Sequence, residues 1–245
     1  MTHMLSRLAM AASLLALLAC GGKADTEMSE AKSASAETAA DQETQDAASS
    51  ETASEPELVQ APEGSRAAED MAIGSPDAPL TIIEYASVTC PHCATFHKET
   101  FPQIKERFID TGQVRFVYRE FPTAPVRLAQ AGFIVARCAA TDSGPEGYFA
   151  MIDALYKTQQ SWMFSQEPGA ELRNIAAQAG IDDEGFQTCF AREDIRDVIV
   201  ASIEQGRDDG VSATPSLAVD GKTLDIGRTP DDAIAAIEAE LEKRS

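Results

Sequence analysis

The sequence predicts an α/β fold, a mixed sheet interrupted by an inserted helical domain, and three observations carry that prediction. A β-rich run, Leu80–Ala86, leads directly into Cys90-Pro91-His92-Cys93 and on into helical spacing. Residues 124–209 are then mostly helical in the spacing of their apolar side chains. β signals return at Ser216–Leu224 and give way to a strong helix start at Thr229.

Each element follows from its residues. Leu80-Thr-Ile-Ile-Glu-Tyr-Ala86, behind Asp77 and Pro79, reads as a buried strand. Pro91 suits the first turn of a helix, where its missing N–H costs nothing. Phe96, Thr100, Ile104 and Phe108 continue at helical spacing, with Pro102 expected to kink or break the run and Thr111-Gly112 to end it. Gln113–Glu120 alternates as a second strand. In the helical block, Leu128, Ala131, Ile134, Val135 and Cys138 form one apolar face, and Tyr148, Ile152, Leu155 and Tyr156 another. Leu172, Ile175, Ala176 and Ala179 stop at Gly180, a C-cap signal. Asp182 is placed to cap a short helix carrying Phe186, Cys189 and Phe190. Ile195, Val198, Ile199 and Ile203 give the last helix of the block, ending near Gly206 or Gly210. Ser216–Leu224 reads as a hairpin turning at Asp220-Gly221. Thr229-Pro230-Asp231-Asp232 combines an N-cap, proline at the first position and early acids, and Ile234, Ile237 and Leu241 supply the buried stripe.

Charge and the N-terminal region narrow the function classes. The 245 residues hold 40 acids and 20 bases, a net charge of −20, which argues against binding a phosphate backbone. Residues 1–20 read as an export signal: Arg7 precedes the apolar run Leu8–Ala19, too short for a bilayer span. Leu17-Leu18-Ala19-Cys20-Gly21 resembles a bacterial lipoprotein signal, with Cys20 as the lipidated residue; ordinary cleavage after Gly21 is the alternative. Residues 21–65 hold 11 acids against two bases and no aromatic residue, so they are expected to be a disordered acidic tether. A flexible chain of that length reaches roughly 35–40 Å. With Cys20 acylated or removed, an even number of cysteines remains in an exported, oxidising setting.

The chemistry resides in Cys90-Pro91-His92-Cys93. A cysteine at a helix N-terminus faces free backbone N–H groups and the positive end of the helix dipole, and both favour thiolate over thiol. His92 is expected to add positive character or a hydrogen bond to the same sulfur. A stabilised thiolate stabilises the reduced pair, so the disulfide becomes an oxidant; about 30 mV of potential corresponds to roughly 1.4 kcal/mol. Cys-x-x-Cys is also metal spacing, and Cys90, Cys93 and His97 would make three zinc ligands. The strand-to-helix setting and Pro91 favour redox chemistry, with His97 as a packing or surface residue and no metal or cofactor expected. Trp162 and Met163 belong either to the core or to the edge of a substrate groove.

The run Ile82-Ile83-Glu84-Tyr85-Ala86-Ser87-Val88-Thr89-Cys90-Pro91-His92-Cys93 resembles the disulfide-bond oxidoreductase A (DsbA) family. Cys-Pro-His-Cys is the pattern typical of that family's oxidases. The resemblance covers residues 66–245 and implies a thioredoxin-like fold with an inserted α-helical domain: a first part at 66–123, the insertion at 124–209 and a second part at 210–245. It implies that Cys90 forms the mixed disulfide with substrate and that Cys93 resolves it. Glu84 matches the family's buried acid, which accepts or relays the Cys93 proton. Thr214-Pro215 matches the loop whose proline is cis and lies across from the cysteines, presenting backbone groups to a substrate peptide. Cys138 and Cys189, both on apolar faces of the helical block, are expected to form a structural disulfide, as some related proteins have; two buried free thiols are the alternative.

The expected function is a periplasmic thiol:disulfide oxidase, anchored through Cys20 and acting on reduced exported proteins. The resemblance implies a membrane quinone-linked partner that reoxidises it. Gly21 after Cys20 points to the outer membrane by analogy with other bacteria. The acidic tether lacks the character of a dimerisation domain, so a monomer is expected. A reductase or isomerase on the same fold, a metal-binding or copper-delivery module using Cys90 and Cys93, and a non-redox binding module stand as alternatives.

Overall fold

The computed structural model describes residues 60–244. The export signal, Cys20 and most of the acidic tether therefore lie outside the described residues. The last tether residues, from Gln60, are described and contact the helical insertion: Gln60 Nε2 donates to Glu193, and Ser65 Oγ accepts from Arg192.

Five strands form one mixed sheet in the order β1-β3-β2-β4-β5. β1 is Ala72–Ile73, β2 Leu80–Ala86, β3 Val114–Glu120, β4 Ser216–Val219 and β5 Lys222–Leu224. β2 and β3 run parallel, with Leu80 beside Val114 and Ala86 beside Glu120. The remaining pairs are antiparallel. β1 has no signal in the sequence, because two residues cannot show a period of two. The β4–β5 turn has φ of 49° at Asp220 and 72° at Gly221, the left-handed pair that a tight hairpin demands.

Helix α1, Pro91–Glu99, leaves the C-terminal side of β2 through a short loop. Pro102 does interrupt the following run: α2 restarts at Phe101–Ile104, and a single π-helical turn, Lys105–Ile109, completes it. The insertion comprises α3 (Val126–Ser143), α4 (Pro145–Lys157), α5 (Gln159–Met163), α6 (Pro168–Gln178), α7 (Asp183–Ala191) and α8 (Glu193–Asp208). Asp182 caps α7 through a 2.8 Å bond from Gly185 N. The final helix, α9 (Pro230–Glu242), opens on a capping box between Thr229 and Asp232.

Two large apolar clusters and a small third one of Tyr85, Val211 and Ala218 hold these layers together. Leu80, Ile82, Phe116 and Leu217 of the sheet pack with Ile104, Ile234 and Ile237. Ala86, Val88 and Tyr118 pack instead with Phe133, Tyr148, Leu155 and Trp162 of the insertion. Trp162 is thus a core residue, its indole N–H donating to Leu155 O at 2.9 Å. Gly132 permits the close approach of α3 to the loop before the dithiol, since a Cβ there would stand 2.7 Å from Val88 Cγ2. The insertion is packed directly against the segment that carries the cysteines.

Candidate active site

The seven residues from Leu80 to Ala86 end as a buried strand, and Ser87-Val88-Thr89 turn the chain so that Cys90 becomes the N-cap of α1. The turn is fastened internally. Ser87 Oγ and Thr89 Oγ1 lie 2.9 Å apart, Thr89 Oγ1 reaches Thr123 O, and Gln159 donates its amide to Val88 O at 2.9 Å and to Cys90 O at 3.0 Å. Gln159 opens α5, a helix of five residues that periodicity cannot reveal. It fastens the insertion to the dithiol loop, a role that sequence reasoning missed.

Cys90 and Cys93 are free thiols, 7% and 0% exposed. They are driven in opposite directions. The Cys90 pKa falls to about 5. The largest cause is a hydrogen bond from the Cys93 thiol, opposed by partial burial and assisted by Thr214 and by the backbone N–H groups of Cys93 and His92. The Cys93 thiol is pushed up by burial, by its donation to Cys90 and by the nearby charge of Glu84. One sulfur is thus held as an anion and the other as an acid.

His92 departs from expectation. Its ring is exposed to solvent, and what it offers the Cys90 sulfur is its backbone N–H. Pro91 is exposed at the first helical position.

The Thr214–Pro215 peptide bond is cis, and its loop lies against Cys90. As a thiol, Cys90 Sγ donates to Thr214 O at 3.4 Å. The buried Thr214 hydroxyl stands beside this sulfur, and as a donor it stabilises the thiolate. Ala124–Pro125 is a second cis bond, which the sequence did not signal.

Glu84 is fully buried on β2. Its carboxylate is engaged by His97 Nε2, at 2.8 Å to Oε2 and 3.1 Å to Oε1. His97, one turn after Cys93 on α1, thus turns inward onto β2, with its side chain 8% exposed. Among the described residues no cluster of three or more His, Cys, Asp or Glu is placed to hold a metal. Cys138 and Cys189 form a disulfide joining α3 to α7, with Cα atoms 5.8 Å apart. Among the described residues no helix is long and apolar enough to cross a membrane.

The thioredoxin family profile matches residues 66–239. The chain belongs to the thioredoxin family. Within it the relatives are DsbA-like. A protein of Rickettsia conorii, named provisionally as a protein-disulfide oxidoreductase, is 30% identical over 175 residues, 70% of this chain and 60% of that protein. A Rickettsia bellii protein of similar name is 30% identical over 130 residues, 53% of this chain and 48% of that one. The chain thus spans about half to three-fifths of these rickettsial proteins. The crystal structure of Wolbachia pipientis alpha-DsbA1 superposes with a TM-score of 0.62 at 28% identity, covering 72% of this chain and 92% of that one. Bacillus subtilis BdbD, at 20% identity and a TM-score of 0.63 over 76% of this chain and 99% of its own, shares the fold. This DsbA-like thioredoxin-family chain has the thioredoxin-like fold with an inserted helical domain.

Proposed function

We propose that the protein is a thiol:disulfide oxidase that introduces disulfides into exported proteins. The observation that supports this most is the Cys90 thiolate, held at the start of α1 against the Thr214–Pro215 loop with the acidic Cys93 thiol beneath it. A reduced pair stabilised in this way makes its disulfide a better acceptor of electrons.

A substrate thiolate attacks Cys90 Sγ, the Cys90–Cys93 bond breaks, and the Cys93 sulfur leaves with the electron pair and takes up a proton. The substrate's second thiolate then attacks its own sulfur in the mixed disulfide and expels Cys90 as a thiolate. Two electrons pass to the enzyme and a disulfide forms in the substrate. Glu84, buried beside Cys93, exchanges the proton. Thr214 and Pro215 align the substrate backbone, Pro91 shapes the helix start, and the Cys138–Cys189 disulfide braces the insertion. In this reading the protein is a monomer in the periplasm, lipid-anchored through Cys20 in the outer membrane, and is reoxidised by a membrane quinone-linked partner.

Equilibration of the Cys90–Cys93 pair with glutathione tests the direction. An oxidase has a potential well above that of thioredoxin, about −270 mV, and oxidises a reduced model protein without readily reducing insulin. A potential at the thioredoxin value would replace the oxidase reading with a reductase.

A further inference from the structure

Cys93 gains a proton when substrate is oxidised and loses it when the enzyme is reoxidised, yet it is fully buried. Glu84, which would exchange that proton, is fully buried too. The bookkeeping requires a third group that reaches both the carboxylate and water. His97 meets this requirement. Its Nε2 is on Glu84, and its ring borders two clefts, one of about 710 Å³ between α1 and the α4–α5 corner and one of about 520 Å³ between α2, β1 and α4. Imidazole exchanges protons with water near neutral pH and has two nitrogens, so it can take a proton on one and release it from the other.

We propose that His97 is the proton outlet of the dithiol site, passing one proton per half-cycle between cleft water and Cys93 through Glu84. This rests on the oxidoreductase reading above. When Cys93 leaves as a thiolate, the Glu84 carboxylate takes the proton on His97 Nε2 and hands it to the sulfur, and water returns one proton to the ring. No electrons move in these steps, and one proton passes from water to sulfur. On reoxidation each transfer reverses, freeing the Cys93 thiolate to attack the Cys90 sulfur. His97 acts through Glu84 and touches no reacting sulfur, so it is a positioning residue.

The surroundings suit a shuttle more than a fixed charge. Tyr118 of β3 and Tyr156 of α4 stand with ring centroids 6.0 and 4.6 Å from the imidazole, and their hydroxyls bond each other at 2.8 Å. Burial and the nearby carboxylates push both phenols up, so neither supplies protons near neutral pH. Phe101 of α2 covers the ring at 4.8 Å. The ionisable groups facing it from elsewhere are Glu84 of β2, Asp153 and Lys157 of α4, which pair with each other at 2.6 Å, and Lys105 and Glu146 across the smaller cleft.

His97→Gln keeps an amide donor for Glu84 and removes proton exchange. The reading is the single-turnover rate of the Cys93-dependent step, the resolution of a Cys90 mixed disulfide with glutathione, from pH 5 to 8. The expected result is a fall of tenfold or more, a flattened pH profile, and recovery when imidazole is added, while Cys90 alkylation keeps its parent pH profile. Rates within twofold of the parent across the range would overturn the proposal. A slow step with the parent's pH profile and no rescue would also overturn it, showing a hydrogen-bonding role alone. If H97Q does not fold, H97N in the same assay decides. Failure of the unaltered protein to exchange glutathione at all would instead sink the oxidoreductase reading, and this proposal with it.

Discussion

Two buried carboxylates sit on adjacent strands of one sheet, and their partners differ. Glu84 of β2 meets His97, a titratable group beside two clefts. Glu120, which ends β3, meets Arg137 of α3 through two guanidinium nitrogens and accepts from Tyr148 at 2.9 Å. Arg137 also donates to Ala67 O and Glu69 O. Its charge holds Glu120 below the usual carboxylate range despite complete burial. A guanidinium does not deprotonate in a protein, so this pair is a fixed pin between sheet, insertion and the N-terminal segment. On the proposed route, the fold uses a permanent cation where it needs rigidity and an imidazole where a proton has to move.

Breaking the fixed pair should give the largest effect. Arg137→Met leaves Glu120 buried and unpaired and strands two backbone carbonyls, an expected loss of about 3–5 kcal/mol. Urea denaturation of the oxidised protein measures it. His97→Gln, which keeps a donor on Glu84, should cost far less in the same experiment. Equal losses would erase the distinction drawn between the two sites.

The dithiol sharpens the contrast through pH. The Cys90 pKa is about 5 in the folded reduced protein, against the ordinary thiol value near 8.5 when unfolded. A depressed acid stabilises the fold fully above the unfolded value, and that contribution disappears as pH falls through the folded one. The reduced form should therefore lose stability relative to the oxidised form as pH falls from about 8 to 5. The Glu120–Arg137 pair, present in both forms, cancels in this difference. Thermal unfolding of the two forms across that range checks the slope, and a constant difference would contradict the thiolate.

How much of this contrast was legible in sequence depends on range. The dithiol, the strand before it, the hairpin at Asp220-Gly221 and the cap at Thr229 are local signals, and the structure places them as read. The His97 partnership was half-legible: a residue four after Cys93 shares its helix face, but the carboxylate it meets is on another element. Arg137 carried a signal that was not used, a lone charge inside the otherwise apolar Phe133–Ala140 stretch. A buried cation needs an anion, and only the fold reveals that the anion is Glu120. Gln159 was out of reach, because five-residue α5 shows no period and the amide's partners are backbone carbonyls 69 and 71 residues away.

Tyr148→Phe tests how far the fixed pair depends on its neutral donor. The Glu120 carboxylate keeps both guanidinium contacts and loses one hydroxyl, so about 1–2 kcal/mol of stability should go, read by the same urea titration. A loss as large as that of R137M would mean that the hydroxyl, not the guanidinium, carries the pin.

The smallest effect belongs to Tyr156→Phe at the other site. The Tyr156 ring packs on His97, and among the described residues its hydroxyl bonds Tyr118 alone. Removing the hydroxyl keeps the ring that positions the imidazole and costs about 1 kcal/mol at most, since one buried hydroxyl is lost and Tyr118 is left one partner short. If protons travel through Glu84 and His97, the pH profile of mixed-disulfide resolution should match the parent's. A displaced profile would place the tyrosine pair on the route. The proton would then leave Cys93 through β3 and α4, and the comparison of the two carboxylates would have to be redrawn around phenols that burial keeps neutral.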